Sequence, residues 1–300
     1  MTAGGPRYAA IEAGGTKFVL GIGSADGGSV ARATVPTGTP EQTFPGIASF
    51  FAGAARDHEV ASVGIASFGP LDLDRGSASY GHLLPSAKQA WDDVDLLGRI
   101  RAMLGGIPGA VDTDVNGAAL AEARLGAGAD GGDLAYVTVG TGIGVGLVID
   151  GRTVHGASHP EGGHILPRRH PAHTGFAGIC PFHGDCLEGL ASGPAIAAAW
   201  GGTLAELPSD HVAWEVEADY LAQLAATLIL TVAPHRIVLG GGVMRQQALF
   251  APIRDRTARL LAGYGRGADR AALERRIVAP GCREPSGLVG AYLLAAQAAP

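Results

Sequence analysis

The pattern of apolar and polar residues predicts alternating strands and helices along the first half of the chain. Three β-favouring runs lie within residues 8–36, separated by Gly14-Gly15 and by the turn ADGG, and they predict three antiparallel strands. Stretches typical of helices then alternate with short apolar runs. The predicted elements are a helix, a strand, a helix, a strand and a helix at residues 40–56, 61–67, 94–104, 109–114 and 116–126.

The second half of the chain repeats this order. Residues 134–156 predict a strand, a glycine turn, a strand, the turn Asp150-Gly151 and a third strand. The elements predicted after them are helices at residues 188–200, 214–233, after Val243 and at 287–298, and strands at 236–241 and 276–280. Two similar halves that mix strands and helices imply two α/β domains, with a ligand held in the cleft between them.

Composition excludes several kinds of protein. With 300 residues, 47% of them hydrophobic and 17% charged, the chain can bury one or two large cores. Its net charge of −6, with no run of Lys or Arg, gives no reason to expect a nucleic-acid surface. The N-terminus lacks the features of a signal peptide, and the apolar helical residues 220–233 are too few to span a membrane. We therefore expect a cytoplasmic protein with neither nucleic acid nor membrane as a partner.

Both predicted hairpins carry a Gly-Thr turn at matching places. Glycine lets backbone N–H groups approach an anion and the Thr hydroxyl adds a donor, so two such turns across a cleft can clamp polyphosphate. The alternative is that each is a plain hairpin turn, but the matched placement favours phosphate binding. A third glycine cluster ends an apolar strand before a predicted helix, which suits a nucleotide at a helix N-terminus. The candidate nucleotide-binding residues are Gly14, Gly15, Thr16, Lys17, Gly140, Thr141, Gly142, Gly240, Gly241 and Gly242.

Two aspartates mark the end of a predicted strand. Asp112 and Asp114 lie at the C-terminal end of residues 109–114, and Asn116 opens the next helix. Ligands collect outside the carboxyl ends of strands in α/β sheets, and in phosphoryl transfer an Asp accepts the proton of the attacking hydroxyl. The alternative is that Asp114 only caps the helix. Strand alternation places both aspartates on one face, so spacing does not choose between them.

A cluster of metal-binding residue types lies in residues 155–186, an insertion rich in His, Gly and Pro that interrupts the second half. Cys180, His183 and Cys186 have the spacing of a zinc knuckle, and tetrahedral zinc needs a fourth ligand. Three cysteines in a reducing compartment favour metal ligation or buried thiols over disulfides. A closed shell of four ligands would make the zinc structural, because catalytic zinc keeps an open position. The residue types leave five candidates for the fourth ligand, His155, His159, His164, His170 and His173.

Seven motifs, taken in order, make the chain similar to a known family. They are IEAGGTKF, GIASFGPLDL, DTDVNGAALAEARLG, VTVGTGIGVGLVIDG, HPEGGHILPRRHP, CPFHGDCLEGLASGPAI and RIVLGGGVM. Over residues 8–294 the chain resembles the ROK family of bacterial sugar kinases, and within it the zinc-containing fructokinase branch. The resemblance implies an α/β fold of two ribonuclease H-like domains, as in actin, sugar kinases and heat-shock ATPases, with a cleft that closes over ATP and a hexose.

The repeat and the resemblance together predict the domain boundaries. The N-terminal domain covers residues 7–115 and is completed by the C-terminal helix 287–298. The C-terminal domain covers residues 116–286 and carries the zinc-bearing insertion 155–186. The resemblance further implies a homodimer, a sugar and a nucleotide as small-molecule partners, and ATP with Mg²⁺ and a structural Zn²⁺ as cofactors.

The family's functional residues carry over to named positions of this sequence. The family's catalytic base falls on Asp114, which would deprotonate the primary hydroxyl of the sugar for attack on the γ-phosphate of MgATP. The family's fourth zinc ligand falls on His164, whose second ring nitrogen would touch the sugar. The implied sugar-binding residues are Gly69, Pro70, Thr113, Asp114, Glu161, His164 and Glu188, and the implied metal ligands are His164, Cys180, His183 and Cys186.

The chain departs from the family pattern at several positions. Glu12 stands where most members have Asp, whereas Thr113 and His183 stand where the glucokinases have Asn and Cys, as fits the fructokinase branch. Pro285-Ser286 stands in place of an expected acidic pair, with no role that the sequence assigns. The implied reaction is ATP-dependent phosphorylation of fructose to fructose 6-phosphate. The alternatives are a kinase for glucose, mannose or an N-acetylated hexosamine, and a sugar sensor without turnover.

Overall fold

Two five-stranded sheets form the framework of the protein. The computed structural model describes residues 5–54, 56–86 and 88–300. The strands of the first sheet are β1 (Tyr8–Ala13), β2 (Lys17–Gly23), β3 (Ser29–Pro36), β4 (Val63–Ser67) and β5 (Gly109–Thr113). They lie in the order β3-β2-β1-β4-β5, where β3, β2 and β1 are antiparallel neighbours and β1, β4 and β5 run parallel.

The second half forms a sheet with the same topology. Its strands are β6 (Leu134–Val139), β7 (Ile143–Ile149), β8 (Arg152–Thr153), β9 (Arg236–Gly240) and β10 (Ile277–Val278). They lie in the order β10-β9-β6-β7-β8, where β6, β7 and β8 are antiparallel neighbours and β6, β9 and β10 run parallel, which matches the first sheet read from β5 to β3. The repeat predicted from the sequence is therefore confirmed in strand order and strand direction.

Burial along the strands follows their position in the sheet. The residues of β4 are all buried and those of β1 almost all, as expected for strands whose two faces are both covered. The edge strand β3 alternates between partly buried and exposed residues. Each sheet packs its apolar side chains into a core of its own.

Nine α-helices lie in the described part of the chain. They are α1 (Pro40–Ala54), α2 (Leu96–Met103), α3 (Asp114–Leu125), α4 (Leu187–Ala191), α5 (Gly193–Trp200), α6 (Val212–Thr231), α7 (Phe250–Leu261), α8 (Arg270–Arg276) and α9 (Ser286–Ala298). None of these described helices has both the length and the apolar character needed to cross a membrane.

Helices α3 and α9 pack between the two sheets. The C-terminal helix α9 contacts β1, β4 and β5 of the first sheet, whereas α3 contacts β6 and β7 of the second sheet as well as α9. Two glycines allow the helices to approach closely, because a Cβ on Gly290 would overlap the backbone of Gly117. This pair of helices therefore connects the first sheet and its helices, the first lobe, to the second sheet and its helices, the second lobe. The connection lies next to the end of β5, because α3 begins immediately after that strand.

The structure gives Pro285-Ser286 a role in this junction. Glu122 of α3 is buried, and its carboxylate accepts hydrogen bonds from Ser286 Oγ at 2.6 Å and from the backbone N–H groups of Ala127 and Gly281 at 2.8 Å each. Pro285 precedes the first residue of α9. Because a buried carboxylate requires several donors, Ser286 stabilises the contact between α3 and the start of α9.

Two predicted helices differ from the structure. The single helix expected at residues 188–200 is split into α4 and α5 at Ser192, whose hydroxyl accepts from the N–H of Ala195 and caps α5. The helix expected directly after Val243 begins only at Phe250, after two short 3-10 turns. The third glycine cluster therefore leads into a 3-10 turn, and its interpretation as the N-terminus of an α-helix was wrong.

Two strand boundaries and one helix also differ. The strand predicted at residues 276–280 contains only Ile277 and Val278, and Pro280 lacks the N–H that would continue the pairing. The sequence analysis did not predict α8, which ends immediately before this strand. β5 ends at Thr113, so Asp114 is a helical residue and strand alternation does not apply to it.

Candidate active site

Asp114 is the first residue of α3, directly after the carboxyl end of β5. The preceding residue, Thr113, caps the helix, because its Oγ1 accepts from the N–H of Asn116 at 3.1 Å. Asp114 itself is partly exposed, and its Oδ1 accepts from the N–H of Val115 at 2.9 Å. Capping is thus carried out by Thr113, which is only 3% exposed, and Asp114 keeps a carboxylate oxygen for another partner.

Asp112 has a different environment from Asp114. It is 2% exposed, and its carboxylate accepts from the N–H of Thr113 at 2.8 Å, from Asn116 Nδ2 at 2.8 Å and from Thr153 Oγ1 at 2.9 Å. His155 Nε2 lies 3.0 Å from both of its oxygens. These contacts saturate the carboxylate and join β5 to the second lobe, so Asp112 is structural and Asp114 is the carboxylate that can act on a ligand.

The surroundings of Asp114 raise the pKa of its carboxyl group. Desolvation by the surrounding atoms, together with repulsion from the carboxylates of Glu12 and Glu161, raises the pKa of Asp114 to about 7. A base with a pKa near the operating pH is partly free to accept a proton and strong enough to do so.

The raised pKa predicts a pH dependence. If Asp114 is the base that the family resemblance implies, its carboxyl carries a proton below about pH 7 and cannot act, so kcat/KM for a sugar substrate should rise with pH through a midpoint near neutrality. The measurement is kcat/KM at saturating ATP across the acidic and neutral range. A profile that falls only where an unperturbed aspartate titrates, about pH 4, would contradict this environment for Asp114.

The first glycine turn, residues 14–17, connects β1 and β2. The N–H of Gly14 donates to the carbonyl of Lys17 at 2.9 Å, and Thr16 and Lys17 are exposed. Lys88 Nζ donates to the carbonyl of Gly15 at 2.6 Å. The turn therefore presents exposed donors beside two lysines, and Lys88 is a cation that the sequence analysis did not select.

The second and third glycine clusters lie together in the second lobe. The N–H of Gly140 donates to the carbonyl of Gly142 at 2.9 Å, and a Cβ on Gly140 would lie 3.8 Å from the nitrogen of Gly242. Glu188 Oε2 accepts from the N–H of Ile143 at 2.9 Å, at the start of β7. Glu188 therefore lies against this turn, so a predicted sugar-binding residue and a predicted phosphate turn are neighbours.

The four predicted metal ligands converge in the structure. One ligand atom from each of His164, Cys180, His183 and Cys186 lies within 4.8 Å of the other three. His164 Nδ1 lies 3.4 Å from Cys186 Sγ and 3.8 Å from Cys180 Sγ. Ligands of a tetrahedral Zn²⁺ at normal bond lengths are about 3.4–3.8 Å apart. Both the donor types and their spacing therefore fit zinc.

The other four candidate histidines have different partners. His155 binds Asp112, and His159 contacts Leu71 and Glu161. His170 accepts from the N–H of Ala172 through its own Nδ1, and the ring of His173 is buried and stacks on Phe176 and Trp200. The metal-ligand cluster found among the described residues includes His164 and none of these four.

Two residues near the cleft have surroundings that the sequence analysis missed. Glu12 lies on β1 next to the start of α9, where a Cβ on Gly287 would lie 2.6 Å from its carboxyl carbon. Burial raises the pKa of Glu12, partly opposed by Lys17. His159 lies against the turn Gly69-Pro70, with a Cβ on Gly69 3.3 Å from its ring. Both contacts join distant parts of the chain, and the periodic pattern of apolar residues cannot predict such contacts.

Comparison with known proteins shows the family to which the chain belongs. The profile of the ROK family matches residues 8–298. The chain belongs to the ROK family. The fructokinase of Zymomonas mobilis is 45% identical to it over 295 residues, which are 97% of each chain. The fructokinase of Pediococcus pentosaceus is 38% identical over 289 residues, covering 96% of this chain and 97% of the relative.

Solved structures of ROK proteins share the fold of this one. The ROK hexokinase of Thermus thermophilus superposes with a TM-score of 0.76 at 26% identity, covering 97% of this chain and 98% of that one. A ROK family glucokinase from Streptomyces griseus, in complex with glucose and AMPPNP, has a TM-score of 0.75 at 26% identity and covers 97% and 99% of the two chains. This ROK protein therefore has the actin-like two-domain α/β fold that the sequence analysis predicted.

Proposed function

We propose that this ROK protein is an ATP-dependent fructokinase, which transfers the γ-phosphoryl group of ATP to the C6 hydroxyl of D-fructose. The observation that carries the reaction type is the partly exposed Asp114 carboxylate at the carboxyl end of β5, with its pKa raised to about 7. The choice of fructose rests on relatives named fructokinase that match nearly the whole chain at 38–45% identity.

In the proposed reaction Asp114 accepts the proton of the C6 hydroxyl as its oxygen attacks the γ-phosphorus. The bond from the γ-phosphorus to the bridging oxygen of ADP breaks, and the products are fructose 6-phosphate, ADP and the proton. Backbone and hydroxyl donors of the turns 14–17 and 140–142 hold the phosphates, with residues 240–242 beside the second turn. A divalent ion bound with ATP, Mg²⁺ in our proposal, would neutralise phosphate charge, and Glu12, on β1 two positions before the first turn, would be available as an oxygen ligand.

The sugar site in this proposal combines both lobes. Gly69 and Pro70 come from the first lobe, Glu161 and His164 from the insertion, and Glu188 from α4. Their polar groups would bind the sugar hydroxyls and orient the C6 hydroxyl toward Asp114. Because the hydroxyl of Thr113 already caps α3, we expect that residue to shape the site rather than to bind the sugar strongly.

Zinc has a structural role in the proposal. The ligand set His164, Cys180, His183 and Cys186 leaves no open position on a tetrahedral ion. A bound Zn²⁺ would hold the insertion in place, and coordination through Nδ1 of His164 would leave its Nε2 to face the sugar. The metal would therefore order the sugar site without taking part in phosphoryl transfer.

The domain boundaries predicted from the sequence form part of the same proposal. Residues 7–115 with the helix 287–298 form the N-terminal domain, and residues 116–286 form the C-terminal domain. The packing of α9 on β1, β4 and β5 supports the first assignment. The homodimer and the cytoplasmic location stay predictions.

A coupled assay for ADP release tests the proposed function. We expect fructose to give the highest kcat/KM in a series that includes mannose, glucose and N-acetylglucosamine. If kcat/KM for glucose is at least ten times that for fructose, the proposed activity is wrong and the protein is a glucokinase. Sugar binding without ADP release from any member of the series would identify a sensor instead of a kinase.

A further inference from the structure

His159 lies between two parts of the proposed sugar site that come from different regions of the chain. Its side chain is 3% exposed, although it belongs to the insertion and neither binds the metal cluster nor faces solvent. Nε2 accepts a hydrogen bond from the N–H of Leu71 at 3.1 Å, immediately after the turn Gly69-Pro70. Nδ1 lies 3.2 Å from Glu161 Oε1.

These two contacts determine the tautomer of the imidazole. Because Nε2 accepts a hydrogen bond from a backbone N–H, it carries no proton itself, and the neutral ring must carry its proton on Nδ1. That N–H therefore points to Glu161 as a donor. His159 thus connects the backbone N–H of Leu71 to the carboxylate of Glu161 through one ring, with both nitrogens used.

The contact matters most for Glu161. The Glu161 side chain is 48% exposed, and an exposed glutamate has several rotamers open to it. Its negative charge contributes to the raised pKa of Asp114, so the Glu161 carboxylate that His159 holds is close enough to interact electrostatically with Asp114. On the other side, the ring of His159 packs against the turn, since a Cβ on Gly69 would lie 3.3 Å from Cε1.

We propose that His159 is a positioning residue for sugar binding, which fixes Glu161 of the insertion and the turn Gly69-Pro70 of the first lobe relative to each other. This inference rests on the proposed function. His159 acts before chemistry and on the sugar side only, so its loss affects the KM for fructose and leaves the KM for ATP unchanged. It acts through Glu161, so the two side chains are energetically coupled.

The test is a double-mutant cycle of His159→Ala and Glu161→Ala, measured as KM and kcat for fructose and for ATP. We expect His159→Ala to raise the KM for fructose about tenfold, the effect of losing one or two hydrogen bonds, with the KM for ATP changed less than about twofold. In the Glu161→Ala background the same change should have a clearly smaller effect. Additive effects, or equal rises in both KM values, would overturn the proposal.

Two further variants make the result specific. His235→Ala is the matched control, because His235 Nδ1 also accepts a hydrogen bond from a backbone N–H, that of Asp133 at 3.0 Å. His235 is exposed and immediately precedes β9, so this variant should leave both KM values unchanged. If His159→Ala does not fold, His159→Phe keeps a ring against Gly69 but loses both the acceptor for Leu71 and the donor to Glu161. It should show the same rise in the fructose KM, and a wild-type KM would overturn the proposal.

Failure of the proposed function gives a different result. An enzyme that releases no ADP with fructose disproves the kinase proposal, and calorimetric titration of wild type and His159→Ala with fructose then tests the positioning role directly. A weaker dissociation constant in the variant supports that role, whereas equal constants overturn it.

Discussion

Replacing Asp114 with asparagine should lower kcat for fructose by a factor of about 10²–10⁴, the usual contribution of a general base. The amide has the same shape and can still accept a hydrogen bond from the N–H of Val115, as Asp114 does. The first turn of α3 should therefore keep its structure. It cannot accept the proton of the C6 hydroxyl, and the loss should therefore fall on kcat. The measurements are steady-state kinetics at saturating fructose and ATP, with thermal unfolding to check the fold.

Asp112→Asn is the informative control for this prediction. Asp112 is buried, and its carboxylate accepts from several donors, so an amide at this position places N–H groups against other donors. We expect a loss of about 3 kcal/mol in unfolding free energy and a smaller decrease of kcat than in Asp114→Asn. If Asp114→Asn turns over at a near-normal rate and Asp112→Asn is folded but inactive, Asp112 is the general base and not Asp114.

Removing the metal should have the second large effect. In the proposal Zn²⁺ holds His164, Cys180, His183 and Cys186 together, and in structural sites the free energy of zinc binding contributes directly to folding. Chelation, or the substitution Cys186→Ala, should therefore lower the melting temperature and abolish fructose binding together. The measurements are zinc content by mass spectrometry, thermal unfolding, and calorimetric titration with fructose.

Cys282→Ala is the matched control for the metal. Cys282 is the third free cysteine and lies outside the metal-ligand cluster, so this variant should keep one zinc per chain. If Cys186→Ala keeps its metal, melting temperature and fructose binding, the cluster is a pair of buried thiols beside two histidines and not a zinc site.

Local patterns predicted most of the framework. Residues 134–156 predicted three strands with a glycine turn and the turn Asp150-Gly151 between them, and the structure contains all three, the third shortened to Arg152–Thr153. The match with residues 8–36 predicted a repeat that the strand order confirms. Short-range signals were sufficient because hairpin turns and apolar runs act over a few residues. They failed where a side chain interrupts a helix, as at Ser192, whose capping of α5 splits one predicted helix into two.

The candidate site was predictable only in part. Strand alternation could not separate Asp112 from Asp114, because the separation arises where β5 becomes α3 and from contacts of Asp112 with the second lobe. Spacing left five histidines open as the fourth ligand, since the choice depends on how a long insertion folds. The resemblance selected His164, which the structure places with the other three ligands.

Contacts between distant segments could not be predicted from the sequence. Ser286 and Glu122 are separated by 164 positions, and their hydrogen bond explains a residue for which the motifs gave no role. His159 was considered only as a metal ligand, because nothing near it in sequence indicates Leu71, its partner 88 positions away. Hydrogen bonds of this kind depend on the assembled fold and leave no periodic pattern.

A crystal structure with fructose and a non-hydrolysable ATP analogue tests the central claim most directly. We predict that the C6 hydroxyl oxygen of fructose lies within hydrogen-bond distance, about 2.6–3.2 Å, of a carboxylate oxygen of Asp114. The triphosphate should contact the turns at residues 14–17 and 140–142, with its γ-phosphorus facing that hydroxyl. A triphosphate bound away from both turns, or a fructose whose C6 hydroxyl points away from Asp114, would contradict the account.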